Sequence, residues 1–277
     1  MKKILFVALL AAIAVSCIGS SAIKGSGKAV KGEFDINTNY TELTVSNGIT
    51  VVLVPSEKST GTITADEMVM DYVSITEKNG KVRVKYDPQV QVRSKVETIV
   101  TIPISRSITT LKAGSAAILR AEAQILAQTL TVESSSAAKV TLDVEARELF
   151  VDVDSAADCV ITGTCGVCKI SGDSAAKLTG RLTARECYAD FDSAASCTMK
   201  GTADYCKVEV DSAADFNGYE FICKKADVDA SSAGSVKITA TEEFGVSVSS
   251  GGSVKYKGEP RLTSHNVSSG GSLKKAD

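Results

Sequence analysis

Residues 149–159 read Leu-Phe-Val-Asp-Val-Asp-Ser-Ala-Ala-Asp-Cys, and the pattern in this stretch returns again and again along the chain. Its centre is a serine followed by two small residues, and that centre recurs at intervals of 18 to 21 residues, most often 19. The nine serines are Ser115, Ser136, Ser155, Ser174, Ser193, Ser212, Ser232, Ser250 and Ser269. A phase held over nine copies predicts structural units that stack on one another.

Apolar and polar residues alternate on both sides of the repeated serine. Leu149, Val151 and Val153 lie six, four and two residues before Ser155, and Cys159 lies four residues after it. A period of two is typical of a strand with one buried face. One strand–turn–strand unit cannot bury that face alone, whereas stacked units can. Residues 104–277 therefore predict an all-β fold, a single-stranded parallel β-helix (β-solenoid) of about nine coils. Residues 116–129 are rich in helix-forming residues but keep the repeat phase, so they too are predicted to form a coil.

The preceding residues, 28–103, lack the serine repeat but still contain strand-like segments. Residues 49–54 and 81–86 are examples, and Asn79-Gly80 predicts a hairpin turn. Because an exposed solenoid end invites edge-to-edge aggregation, we expect an N-terminal β segment here that leads into the solenoid and caps it.

The first residues have the pattern of a targeting segment. Lys2 and Lys3 precede an apolar run over residues 4–15, which is too short to span a bilayer, and small residues lead to Cys17. This predicts a lipoprotein signal peptide (residues 1–16), a lipid anchor on Cys17 and a flexible tether (17–27). An ordinary secretory signal cut near Ser21 is the alternative. The predicted location is the cell envelope, as an outer-membrane lipoprotein on either face.

Charge and composition exclude some classes of function. The chain of 277 residues has a formal net charge of −2 and a sequence pI near 5.7, with 5% aromatic residues and one histidine. Nucleic acid is not an expected partner, because neutralising phosphates requires a basic surface. The single histidine, His265, falls in an inward column near the end of the stack, where a packing role is expected.

A family resemblance follows from motifs along the chain. Phe34-Asp35-Ile36, residues 45–53 (Val-Ser-Asn-Gly-Ile-Thr-Val-Val-Leu), residues 73–83 and the serial Ser-Ala-Ala and Ser-Gly-Gly turns resemble the head GIN domain family, whose members carry an auto-transporter adhesin label. Thr50 stands where the family motif would have Asn. The resemblance covers about residues 30–275 and implies a right-handed parallel β-helix. It brings no catalytic residues to this chain.

The seven cysteines after Cys17 are predicted to lie inside the stack. Cys168, Cys187 and Cys206 occupy one inward column, and Cys165 precedes Cys168 with the spacing of a redox or zinc pair. Buried free thiols packing as small hydrophobes are favoured. Disulfides between stacked coils, such as Cys168–Cys187, and a metal or redox site are the alternatives.

A column of aspartates is the clearest outward feature. Each precedes a turn serine, and the four are Asp154, Asp173, Asp192 and Asp211. They are weak candidates for Ca²⁺ ligands, because hard cations prefer several carboxylate oxygens. An acid/base pair for glycoside chemistry is a second interpretation. Capping of the turn by side-chain hydrogen bonds is favoured over both.

These features predict a non-enzymatic cell-envelope lipoprotein with a β-helix binding or adhesion surface. Its expected partners are the membrane, through the lipid anchor, and a glycan or another envelope protein. No catalytic residue or cofactor is assigned, Ca²⁺ being the one candidate ion. The alternatives are a carbohydrate-active β-helix enzyme and a purely structural spacer. Phe150, Tyr188 and Tyr219 are the best outward aromatic residues for sugar stacking.

Overall fold

The computed structural model describes residues 21–276, and strands dominate them. Cys17 and the predicted signal peptide lie outside the described residues. The N-terminal strands are β1 (Ser21–Lys24), β2 (Ala29–Asp35), β3 (Glu42–Val45), β4 (Thr50–Val54), β5 (Thr60–Asp66), β6 (Val73–Lys78), β7 (Lys81–Tyr86), β8 (Val90–Arg93) and β9 (Ile99–Pro103). A 3₁₀ turn, Met70–Tyr72, is the one helical element of the described chain.

The serine repeat forms the remaining strands. They are β10 (Thr110–Ala113), β11 (Ile118–Ala121), β12 (Ile125–Ser134), β13 (Lys139–Val153), β14 (Asp158–Gly172), β15 (Lys177–Phe191), β16 (Ser196–Val210), β17 (Asp215–Ala230), β18 (Ser235–Val248), β19 (Ser253–Lys257), β20 (Arg261–Val267) and β21 (Ser272–Lys275). Successive coils pair in parallel, with residues 19 apart facing each other over most of β13 to β16. The predicted β-solenoid is confirmed, including the coil formed by residues 116–129.

Each coil has two faces joined by a bend and by a tight turn. In β14, Cys159 and Ile161 are buried before the bend, and Cys168 and Ile170 after it. Gly163 lies at the bend with a φ of 127°, and a Cβ there would come within 1.8 Å of the Val144 carbonyl oxygen of the adjacent coil. Only glycine fits at this point, because both the backbone conformation and the space exclude a side chain.

The tight turn is a type I′ turn in the serine-repeat coils. In the coil of Ser155, the Ala157 amide donates to the Asp154 carbonyl at 3.1 Å, and φ is 52° at Ser155 and 59° at Ala156. The Ala156 amide donates to the carbonyl of Ser174 in the next coil at 3.0 Å. The same bond recurs from coil to coil, so the turns form a hydrogen-bonded ladder of their own.

The N-terminal segment adds two further levels to the stack, which the serine repeat did not predict. β3 and β4 pair in parallel with β10 and β11, and β7 and β9 pair in parallel with β3 and β4. Asn47 and Gly48 take φ values of 65° and 70°, and the Gly48 amide donates to the Ser115 carbonyl at 2.9 Å. Residues 42–54 are therefore a coil whose turn joins the same ladder, although its residues differ.

Antiparallel strands close the N-terminal end, as the capping prediction requires. β5 runs antiparallel to β9, β2 to β5, and β6 to β7 through the Asn79-Gly80 hairpin. Asp66 at the end of β5 is fully buried and accepts hydrogen bonds from the Gly27 and Met68 amides at 2.7 and 3.0 Å and from the Ser94 hydroxyl at 3.1 Å. Burial opposes the ionised form, but these hydrogen bonds and one from Ser26 lower the pKa of Asp66 to about 2. This carboxylate fastens the start of the described chain to the cap, and part of the predicted tether, β1, pairs with β8.

The C-terminal end is more open. His265 pairs in register with Val246 but is exposed, because no further coil covers it within the described residues. The expected packing role of His265 is therefore wrong. Leu262 and Val267 of the same strand are exposed by 42% and 41%. No helix in residues 21–276 is long and apolar enough to cross a membrane.

Candidate ligand-binding flank

The outward side chains on the strands that precede the turns form one continuous surface, here called the pre-turn flank. Register pairing aligns its central column over five successive coils, as Phe150, Lys169, Tyr188, Lys207 and Asp227. Their inward neighbours are buried, so the core fixes the backbone beneath the column. Side chains on this flank therefore stand at a defined spacing, close to 4.8 Å per coil.

Two aromatic rings in this column flank a lysine. The Lys169 ammonium lies 5.6 Å from the centroid of the Phe150 ring and 6.0 Å from that of the Tyr188 ring. Both distances are within the range of cation–π attraction, which is weak at an exposed site. Lys169 is exposed, whereas both rings are half-buried.

Hydrogen bonds and ring contacts orient the tyrosines of the flank. The Tyr188 hydroxyl donates to Glu186 Oε2 at 2.9 Å, and the Tyr205 hydroxyl donates to Asp227 Oδ2 at 2.9 Å. The two rings meet edge to face, with centroids 6.0 Å apart and planes at 66°. The bond to Glu186 raises the pKa of Tyr188, and burial with the bond to Asp227 raises that of Tyr205 to about 12. Both phenols thus stay protonated and keep these bonds at neutral pH.

A cleft of about 790 Å³ opens along this part of the flank. Its charged lining consists of Asp152, Glu186, Asp190, Glu209, Lys169 and Lys207, and its aromatic lining of Phe150 and Tyr188. The volume lies within the range of small-molecule sites.

Asp190 is the carboxyl group in the cleft with a raised pKa. Partial burial is the first cause, and the neighbouring carboxylates of Glu209 and Asp192 add to it, while Lys207 opposes it. Lys207 itself lies 2.6 Å from Glu209 Oε1. The register places Asp190 beside Glu209 on adjacent coils. Two carboxyl groups are therefore close together here, one of them with a raised pKa.

The four aspartates weighed as Ca²⁺ ligands each turn back toward their own coil. Oδ1 of each accepts a hydrogen bond from the next serine amide, at 2.5 Å for Asp154, Asp173 and Asp192 and 2.6 Å for Asp211. The hydroxyl of Ser193 and the amide of Ser174 lower the pKa of Asp173. Within residues 21–276 no three His, Cys, Asp or Glu side chains are arranged to hold a metal ion. The geometry supports the turn-cap interpretation.

All seven described cysteines are buried and none is in a disulfide. Cys168, Cys187 and Cys206 face one another in register along one inward column. Burial raises the pKa of Cys159 and Cys197, which keeps these thiols neutral and unreactive. Packing as small apolar side chains accounts for their positions.

The sequence pointed to Phe150 and Tyr188 but missed Tyr205. A signal was present, because Tyr205 lies 19 residues after the outward Glu186 and therefore beside it on the next coil. Tyr219, the third aromatic residue, lies outside the cleft, with the Lys257 ammonium 5.2 Å from its ring centroid.

The fold and this flank define a parallel β-solenoid that exposes rows of side chains at a regular spacing. The chain matches the family described as "Putative auto-transporter adhesin, head GIN domain" over residues 39–191 and 167–260. The chain belongs to this family, as its motifs indicated. The family description points to a binding role at the cell surface rather than to catalysis.

Three of the solved structures that the chain resembles come from Parabacteroides species. An adhesin-labelled protein of Parabacteroides merdae is 18% identical, with a TM-score of 0.70 over 93% of this chain and 100% of its own. Another of Parabacteroides distasonis is 18% identical, with a TM-score of 0.68 over 92% and 100%. A P. distasonis protein named as lipid-binding is 16% identical, with a TM-score of 0.67 over 93% and 100%. These likenesses establish the fold. No curated protein sequence matches the chain.

Proposed function

We propose that the protein is a non-enzymatic lipoprotein of the bacterial outer membrane whose pre-turn flank is a binding surface. The observation that carries the proposal is the cleft of about 790 Å³, which combines aromatic rings with charged groups of both signs. Such a combination is typical of recognition sites, where a few polar groups orient a ligand on an apolar surface.

The lipid anchor is supported by the sequence around Cys17. A short apolar segment and small residues precede the cysteine, and β1 begins four residues after it. An acylated Cys17 would therefore hold the capped end of the solenoid near the membrane. The open end and the pre-turn flank would then project away from the membrane.

Two experiments test the location. Metabolic labelling with a radioactive fatty acid should label the wild-type protein and not the Cys17→Ser variant, which should leave the membrane fraction. Protease treatment of intact cells should degrade the protein if it faces the exterior and spare it if it faces the periplasm. Equal labelling of Cys17→Ser would disprove the anchor.

A second candidate, a carbohydrate-active enzyme, is favoured by one observation. Asp190 has a raised pKa and lies beside Glu209 on the neighbouring coil, so the two could act as general acid and nucleophile at a glycosidic bond. Hydrolase and lyase assays on polysaccharides separate the two functions. Turnover that Asp190→Asn and Glu209→Gln abolish would establish catalysis and replace the binding proposal.

A further inference from the structure

We infer that the cleft on the pre-turn flank is a binding site for a linear, uncharged oligosaccharide, with sugar rings stacked on Phe150 and Tyr188. The inference rests on the proposed binding function and names the site and the ligand class. Four features of the cleft support it: the spacing of the rings, the fixed orientation of Tyr188, the polar groups beside the rings and the balance of charge.

The spacing of the rings suits two sugars of a chain that are separated by one further sugar. Phe150 and Tyr188 occupy the same outward column two coils apart, with Lys169 between them. At about 4.8 Å per coil, their attachment points are about 9.6 Å apart along the solenoid axis. An extended, β-linked chain lying along the axis advances by about this distance every two sugars, so the two rings would stack on the first and third of three consecutive sugars. The open cleft lets a longer chain continue in both directions.

The Tyr188 ring is held in place before any ligand arrives. The bond from the Tyr188 hydroxyl to Glu186 and the edge-to-face contact with Tyr205 restrict the Tyr188 ring. Little side-chain freedom is then lost on binding, which favours affinity. The Lys169 ammonium between the rings is exposed and weakly held, so it can move aside and donate to a sugar hydroxyl.

The polar lining matches hydroxyl groups, which both donate and accept hydrogen bonds. Asp152, Asp190 and Glu209 lie along one side of the aromatic column as acceptors, and Lys169 and Lys207 stand within it as donors. With Glu186, the lining has four acidic groups against two basic ones. A polyanionic glycan would be repelled by this excess, so an uncharged chain is the better fit.

Isothermal titration of the purified full-length protein with soluble cello-oligosaccharides and fully N-acetylated chito-oligosaccharides, and with heparin as a polyanionic comparison, tests the site. We expect the uncharged chains to bind and heparin not to bind. Phe150→Ala and Tyr188→Ala should each weaken binding about tenfold, the loss of one stacked ring. Tyr188→Phe keeps the ring but loses the bond to Glu186, so it should lose clearly less affinity than Tyr188→Ala.

Tyr219→Ala is the matched control. Tyr219 is an outward aromatic residue with a lysine ammonium near its ring, as in the cleft, but it lies outside the cleft. Its affinity should equal that of the wild type. Melting curves show whether each variant is folded. If Phe150→Ala is destabilised, Phe150→Leu keeps an apolar side chain there and still removes the flat ring.

The outcomes separate this inference from the binding function itself. Glycan binding that the ring variants leave unchanged would overturn the site. Binding of heparin but no uncharged chain would overturn the ligand class. Failure to bind any glycan, with retained binding to a purified envelope protein, would overturn the inference while the binding function stands. Failure to bind glycans, envelope proteins and cells would refute both.

Discussion

Replacing either of two neighbouring alanines in one turn with glycine should change the free energy of unfolding in opposite directions. Ala156 has a φ of 59°, in the left-handed region, where a Cβ costs about 1–2 kcal/mol. Glycine there removes this strain but adds about 0.5–1 kcal/mol of backbone entropy to the unfolded chain. Ala156→Gly should therefore stabilise the protein by about 0.5–1 kcal/mol.

Ala157, the next residue, is fully buried and outside the left-handed region. Ala157→Gly loses a buried methyl worth about 0.8 kcal/mol and adds the same entropy term, so it should destabilise by about 1.5 kcal/mol. Gly251 is the converse control: its φ is 77° and a Cβ there would have no heavy atom within 4 Å. Gly251→Ala therefore isolates backbone strain and should destabilise by about 0.5–1 kcal/mol.

Equilibrium urea unfolding followed by circular dichroism measures these differences, with a common m-value as the check that the transitions are comparable. In a chain of this size 1 kcal/mol corresponds to about 2–4 °C in melting temperature. If Ala156→Gly and Ala157→Gly destabilise equally, the left-handed turn conformation is not a source of strain and the reasoning fails.

Three further outcomes are expected. The stability contributed by Asp66 should be fully present above the pKa of an unfolded aspartate, near 3.9, and be lost as pH falls toward about 2. Asp66→Asn should remove this acid-sensitive step from the acid-denaturation profile. An Asp66→Asn profile equal to that of the wild type would contradict the prediction. The melting temperature should not change with added CaCl₂ or EDTA, since the four turn aspartates already accept bonds from their own coils, and a rise of several degrees with Ca²⁺ would restore the cation site. Ellman's reagent should react slowly with all seven buried thiols in the folded protein and rapidly after unfolding, whereas fewer reactive thiols after unfolding would reveal disulfides.

The stacking of the coils could be predicted because it depends on periodicity alone. The two-residue alternation fixed which side chains face inward, and the 19-residue interval fixed which of them meet, as in the cysteine column at Cys168, Cys187 and Cys206. The turn at Asn47-Gly48 was not predicted to belong to the repeat, because its residues differ from the serine motif. Asn-Gly adopts the left-handed backbone conformation as Ser-Ala does. The two kinds of turn share a backbone conformation but not a residue type, so a repeated sequence motif does not reveal both.

The level formed by β7 and β9 was beyond sequence reasoning for a different reason. It follows β3 and β4 in the chain but stacks on their outer side, and the chain then returns to place β10 against β3. This order depends on long-range pairing, for which the local pattern carries no signal. The exposure of His265 is a similar case. His265 does pair in register with the inward Val246, but no further strand of the described chain covers it.

The candidate site depends on differences between coils, whereas the fold depends on what the coils share. All coils need apolar residues in the inward columns and a left-handed turn. The requirements of stacking therefore restrict which residues can stand at these positions. Outward positions have no such constraint, and each coil adds only a few of them to a given flank. A ligand that contacts two adjacent coils meets side chains that are already paired, such as Tyr188 with Tyr205 and Asp190 with Glu209. An extended chain lying along the axis would meet several coils at once, and for this reason a linear ligand suits the proposed site.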